Sequence, residues 1–407
     1  MTVRPWGRPQ TDFIRRMVVV FGILRARRAC CPTYNLKQHM KRLKYAMAGG
    51  AVGSFIGPIH RMAVRMDALA DLVAGTFSRD AEKNAASGAE FGIDPSRVYA
   101  DWRSLIESER GKIDFLTVCT TNESHYAIAK AALEAGIDVF CEKPLSLTLK
   151  EAEELGAVAR RKRRMLGIPF TYTGYPMVKL ARDLVKSGEL GQIDKVVMEY
   201  QQGSFRKRGA GGRPWKMDPK IAGPSCVVSD IGVHAFAMIE YVTGLEVREL
   251  LADLSTYGNE NGLDDDASIL MRMSKGAKAS LVTSKVATGE ENGVRLRVYG
   301  RKASLFWDQE APNYLHVKYP DAPERIWKRR ASYVGAASAA SVRASRFPAG
   351  HHEGFVEALA NIYDEFVAAV RTRRAADFPG AREGIRSMKF VEAALKSAKA
   401  RSRWTAL

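Results

Sequence analysis

From Leu43 onward the chain keeps one rhythm: a short unbroken apolar run, a glycine turn, then a stretch with apolar residues at helical spacing. "LKYAMAG" (43–49), "ADLVAGTFS" (70–78), "IDFLTVCT" (113–120), "IDVFCEKP" (137–144) and "RMLGIPFTY" (164–172) read as strands. "SFIGPIHRMAVRMD", "RDAEKNAASGAEFG", "SHYAIAKAALEAG" and "LKEAEELGAVARRKR" lie between them as helices. Strands that are apolar throughout need cover on both faces, which amphipathic crossover helices supply. The expectation is an α/β Rossmann-type domain, a doubly wound parallel sheet.

After about Tyr175 the rhythm changes. "QIDKVVMEYQQ", "VRELLADLST", "ASILMRMS", "AKASLVTSKV", "GVRLRVYG" and "ASLFWD" are strand-like runs joined by short turns, and two amphipathic helices close the chain. This predicts a C-terminal α+β domain with a large, mostly antiparallel sheet. The expected division is an extension at 1–39, a nucleotide-binding domain at 40–170 and a second domain at 171–407.

At 407 residues and 46% hydrophobic, the chain can fill two cores. Its five cysteines show neither a disulfide framework nor metal-ligand spacing, so a reducing cytoplasm is the expected home. No window holds the roughly 20 apolar residues of a membrane span. The formal charge of +18 raises nucleic acid as a partner, but eleven Lys or Arg against Asp12 between Met1 and Lys44 account for +10 of it. The remainder is spread through "RRKRR", "RKR" and "RIWKRR". Solvated faces and loops are the expectation, and no nucleic-acid site. In "RRMVVVFGILRARR" an arginine pair precedes a short apolar run, yet "RARR" stands where a cleavage site belongs, so an export leader is not expected.

Five motifs carry chemistry. "GGAVGSFIGPIH" places Gly49, Gly50 and Gly53, with Phe55 and Ile56, between the first strand and first helix, where a backbone can approach a pyrophosphate at a helix N-terminus. Ala51 stands where a third close glycine would help. At the tip of the second strand Ser78 and Arg79, with Lys83 one turn on, favour a 2′-phosphate and so NADP over NAD; Asp80, one residue away, would reverse that choice. In "CTTNESH", Thr120, Asn122 and His125 are candidates for the nicotinamide side of a cleft. "EKP" puts Glu142 and Lys143 at the tip of the fourth strand, with Pro144 holding Lys143 extended. In "VSDIGVHAF", Asp230 and His234 are four apart and would share one helix face, a pairing suited to proton transfer. A glycine-rich loop before it, 203–225, is long enough for a lid or binding loop.

Together, "EKP" after "AALEAGIDVFC" and the "DIGVHAF" setting resemble the Gfo/Idh/MocA family of glucose-fructose oxidoreductase and inositol dehydrogenase relatives, over roughly Met40 to Leu407. Two departures are the longer glycine turn and Thr121, where proline is commoner. The resemblance implies an NAD(P)-dependent oxidoreductase moving hydride between nicotinamide and a hydroxyl carbon of a sugar, inositol or related polyol. It assigns Lys143, Asp230 and His234 as the catalytic group, with His234 taking the hydroxyl proton, Lys143 stabilising the alkoxide and Asp230 orienting the histidine or gripping a neighbouring hydroxyl. Whether Lys143 or His234 is the base stays open. A cis Lys143–Pro144 peptide is also implied. Tyr172, Tyr175, Trp215 and His351 or His352 are candidate substrate contacts, and a homodimer or homotetramer through the second sheet is expected. The same likeness admits a catalytically silent sugar-responsive regulator or an NAD-dependent glycosidase.

Overall fold

The computed structural model describes residues 41–205, 215–258 and 262–407. The arginine-flanked apolar run and most of the N-terminal charge therefore lie outside the described residues, as does "RKRGAGGRP" within the glycine-rich loop.

Five strands form the parallel sheet: β1 (Leu43–Gly49), β2 (Ala70–Thr76), β3 (Phe115–Cys119), β4 (Asp138–Cys141) and β5 (Leu166–Gly167), in the order β2-β1-β3-β4-β5. Every residue of β3 and β4 is buried, as expected of strands covered on both sides. The interleaved helices are α1 (Ile56–Met66), α2 (Ala81–Glu90), α3 (Trp102–Glu109), α4 (Asn122–Glu134) and α5 (Leu149–Lys162). Of these, α3 was not anticipated, because an aspartate cap and eight residues carry little periodic signal; Asp101 accepts from the N–H groups of Arg103 and Ser104. In this order the crossover direction reverses between β1 and β3, so a crevice opens at their carboxyl ends.

The helix α6 (Pro176–Lys186) then leads into a nine-stranded sheet. Its strands are β6 (Ile193–Gln201), β7 (Val247–Ser255), β8 (Asp266–Met273), β9 (Lys278–Ser284), β10 (Gly293–Gly300), β11 (Ser304–Asp308), β12 (Tyr314–Lys318), β13 (Arg325–Lys328) and β14 (Thr405–Ala406). The order is β13-β12-β11-β10-β6-β9-β8-β7-β14, antiparallel except for the β6–β9 pair. The run "RIWK", read from sequence as surface charge, is the edge strand β13, where every residue but Trp327 is exposed. The helices α7 (Val233–Thr243) and α9 (Ala381–Lys399) cover one face, with Phe236 and Phe390 stacked at 4.6 Å.

One element departs from the expected division at 170/171. The helix α8 (Phe355–Thr372) follows the second sheet in sequence but packs on the first: Leu359, Ile362, Tyr363 and Phe366 form one core with Tyr45, Phe115 and Phe140. Tyr363 stacks on Phe140 at 4.1 Å, and Phe366 meets Phe115 edge-on at 5.4 Å. Removing one such ring costs about 3–5 kcal/mol. Residues Leu43–Leu407 accordingly make one compact unit. No described helix is long and apolar enough to cross a membrane.

Candidate active site

A cleft of about 1190 Å³ runs from the β1 turn to the near end of the second sheet. Its first wall is mostly backbone. Gly49 has φ +81°, and a Cβ there would stand 2.5 Å from the Cys119 carbonyl oxygen, so only glycine lets β1 pass β3 this closely. The close-packing glycine that Ala51 fails to supply is Gly57: a Cβ on it would lie 2.5 Å from Gly50 Cα. Its spacing, stretched by the longer turn, hid it from the strict fingerprint. Gly50 and Gly53 also take positive φ, and nothing lies within 4 Å of a Cβ on Gly53.

This turn fits a dinucleotide. No side chain caps α1 at Phe55, which is 81% exposed, and the buried Ser54 hydroxyl has no partner. A phosphate at a helix N-terminus satisfies both deficits. Phe55 and Ile56 also line the cleft. At the β2 end, Ser78, Arg79 and Lys83 face it. Arg79 is held by Glu123 at 2.8 Å, while Asp80 turns away to cap α2, accepting from the Lys83 N–H. Asp101 and Trp102, which sequence reasoning passed over, complete that end.

Thr120, Asn122 and His125 all line the cleft, but His125 is only 1% exposed and its ring bridges the carbonyls of Pro144, at 2.8 Å, and Thr120, at 3.0 Å. It clips the β4 loop to the β3 loop. Asn122 donates to the Ala222 carbonyl at 3.0 Å, tying α4 to the opposite wall.

The Lys143–Pro144 peptide is cis. Glu142 is buried behind it, bonded to His60 at 2.8 Å and accepting from the Lys143 N–H, and His60 in turn meets the Tyr363 hydroxyl at 2.6 Å. Burial alone would raise the Glu142 carboxyl, but the bond and charge of His60 outweigh it and lower it. A chain of buried contacts thus runs from α8 through α1 to the base of Lys143.

The second wall is built from side chains. Asp264 accepts from the Ser225 hydroxyl and the N–H groups of Cys226 and Val228, fixing the start of a π turn at Val228–Gly232 that leads into α7. Such turns recur at functional sites. Asp230 therefore does not sit on an ordinary α-helical face with His234, and no hydrogen bond joins the two. Its carboxylate goes to lysines instead: Lys143 at 2.6 Å, Lys285 at 2.6 Å and Lys216 at 2.8 Å. The role of orienting His234, expected from the resemblance, is thus not what its contacts serve. Burial would raise the Asp230 carboxyl, but the three ammonium charges hold it well below the usual range. Burial lowers the Lys143 ammonium; Asp230 opposes this and Lys216 adds to it, leaving the group below an ordinary lysine.

His234 sits edge-on to Tyr172 at 5.2 Å and to Phe170 at 5.8 Å, and its Nδ1 is buried without a partner. Burial first, then the charge of Lys143, depress it to about 3, so it is neutral. Beyond it a ring of uncharged groups closes the cleft: Asn292 accepts from Tyr200 and from Gln202 at 3.0 Å each and donates to Gln309, while Tyr172 and Tyr200 share a 2.6 Å bond. Of the sequence candidates, Tyr172 and Trp215 line the cavity. Tyr175 does not: it is 1% exposed, stacked behind Tyr172 and against Trp307. His351 and His352 are exposed outside the cleft. Lys216, Lys285, Gln202, Asn292 and Gln309 were missed, because single polar residues beside strand ends, or in a short turn as Lys216 is, look like ordinary loop residues.

Comparison with known proteins agrees with this architecture. Residues 43–170 match the oxidoreductase family with an NAD-binding Rossmann fold, and residues 178–306 match the GFO/IDH/MocA C-terminal domain. An uncharacterized oxidoreductase of Bacillus subtilis (strain 168), YfiI, is 32% identical, covering 89% of this chain and 96% of its own length. An inositol dehydrogenase homolog from Azotobacter vinelandii, solved with NAD+, superposes with a TM-score of 0.86 at 33% identity, over 90% of this chain and 98% of that one. The same homolog solved with NADH and myo-inositol gives 0.85, and an oxidoreductase from Sinorhizobium meliloti, 39% identical over 90% of this chain and 99% of its own, gives 0.82. The chain belongs to the Gfo/Idh/MocA family of oxidoreductases.

Proposed function

We propose that this oxidoreductase acts at one hydroxyl-bearing carbon of a cyclic polyol or sugar bound between the glycine turn and the Asn292 ring, with Lys143, Asp230 and His234 as its working groups. The observation that carries this is the convergence of Lys143 from the β4 tip with Asp230 and His234 from the other wall, inside one cleft.

A bound nicotinamide dinucleotide supplies the carbon that accepts or returns hydride. Gly49, Gly50, Gly53 and Ser54 hold its phosphates at the α1 N-terminus. Lys143, its ammonium held below that of an ordinary lysine, exchanges the proton of the substrate hydroxyl and then, as ammonium, stabilises the alkoxide. His234 is too weakly basic to be that base; as a neutral ring with a free nitrogen it positions the hydroxyl. Asp230 fixes the Lys143 side chain. Gln202, Asn292 and Gln309, each both donor and acceptor, read the remaining hydroxyls.

At the ribose end we favour NADP, since Ser78, Arg79 and Lys83 line it while Asp80 serves its own helix. The Azotobacter complexes hold NAD+ and NADH, so Arg79→Ala is the test: NADP weakened about tenfold more than NAD supports the preference, and equal weakening rejects it. A reducing, cytoplasmic setting suits the unpaired Cys119, Cys141 and Cys226. Assembly in pairs or fours would cover Leu270, Val282, Tyr299 and Ile326, exposed on the uncovered face of the second sheet; a monomeric mass by light scattering removes that part. The reaction itself is tested by presenting inositols and sugars with each nucleotide and following reduced nicotinamide absorbance. Turnover of one class that survives Lys143→Ala undiminished ends the assignment.

A further inference from the structure

Asp230 is the meeting point of three cations that arrive on separate segments. Lys143 comes from the β4 tip, with Nζ 2.6 Å from Oδ1 and 2.7 Å from the Asp230 carbonyl oxygen. Lys216 comes from the short helical turn Trp215–Met217 and reaches both carboxylate oxygens, at 3.0 and 2.8 Å. Lys285, the first residue after β9, stands 2.6 Å from Oδ2 with its side chain only 4% exposed. Three ammonium groups against one carboxylate leave an excess of two positive charges, and Glu142 on the first wall is already bonded to His60. A buried cation without a counter-charge costs several kcal/mol, and the common relief is loss of a proton from one of the group.

We infer that Lys216 and Lys285 are positioning residues for the proposed chemistry: by sharing the Asp230 carboxylate they keep it off His234 and leave Lys143, which it also touches, only part of a counter-charge, so that Lys143 serves as the amine base. This rests on Lys143 facing the reacting hydroxyl, as proposed above. The groups around it are Glu142 and His125 on the first wall, and Asp230, His234, Lys216, Lys285, Cys226 and the Tyr172–Tyr200 pair on the second. The direction found for Lys143, below an ordinary lysine, while Lys216 is raised by Asp230 against its own burial, agrees with this division of labour.

Loss of Lys216 acts twice with the same sign. A repelling charge disappears, and Lys143 gains a larger share of the Asp230 carboxylate that it already touches. Competitive acetylation of Lys143 by acetic anhydride, followed across pH by peptide mass spectrometry in the whole protein, reads its titration without any substrate. The expected result is a midpoint about one pH unit higher in Lys216→Met and in Lys285→Gln, and a wild-type midpoint in Lys216→Arg. The acid limb of kcat/KM for whichever polyol is oxidised moves upward by the same amount. A Lys216→Met midpoint equal to wild type overturns the inference; this half-buried position decides the matter even if loss of the buried Lys285 unfolds the chain. A shifted midpoint in a protein that oxidises no polyol or sugar would leave the lysine arrangement standing and remove the proposed reaction.

Discussion

Across the cleft, the two walls are made differently. On the parallel-sheet wall the phosphate turn is backbone and helix end: Gly49, Gly50 and Gly57 let chains pass within contact of each other, Gly53 supplies a positive φ, and the unpartnered Ser54 hydroxyl adds a polar atom. The wall of the nine-stranded sheet is mostly side chain. Lys285, Asn292 and Gln309 flank β9, β10 and β11 at one edge of the sheet, and Lys216 and Asp230 join them from the turns Trp215–Met217 and Val228–Gly232. A backbone-built wall can serve a cofactor of constant shape; a side-chain wall can be rewritten for a new substrate without disturbing the sheet beneath it.

Three measurements sharpen or break this contrast. The largest effect belongs to Lys143, where the walls touch: Lys143→Met should lower turnover by about a thousandfold or more, with nucleotide affinity by fluorescence titration close to wild type. Loss of nucleotide binding in step with turnover would mean that Lys143 belongs to the first wall alone. Next, Gly57→Ala adds a methyl group 2.5 Å from Gly50 Cα. It should cost about 1–3 kcal/mol, read as a lower thermal midpoint together with weaker nucleotide binding; normal nucleotide affinity would deny the turn its role. The smallest effect is expected from Asn292→Ala, which should raise KM for the polyol about tenfold with kcat and nucleotide affinity nearly unchanged. Should kcat fall instead, the amide ring reaches the reacting carbon.

Legibility in the sequence followed the same line. The parallel strands were readable because burial on both faces leaves an unbroken apolar run, and the glycine turn and "EKP" because each lies next to such a strand. Asp230 and His234 were found through their mutual spacing, but the π turn and the lysines around Asp230 changed what that spacing means. Lys285 could not be singled out, since a lysine closing a strand ordinarily points to solvent. Gly57 was hidden by two extra residues of turn, and Tyr175 was taken for a ligand contact because packing and binding ask the same of an aromatic ring. The helix α8 gave its periodicity away but not its destination, as an amphipathic stripe does not say which core it will cover.

That destination has a consequence for how the molecule can be divided. Since Tyr363 supports His60 and its neighbours roof Phe115 and Phe140, a chain cut after β13 would lose the lid of its own nucleotide half. The nucleotide half is not a portable cassette: it is finished only when α8, reached after the whole second sheet but β14, has returned to close it.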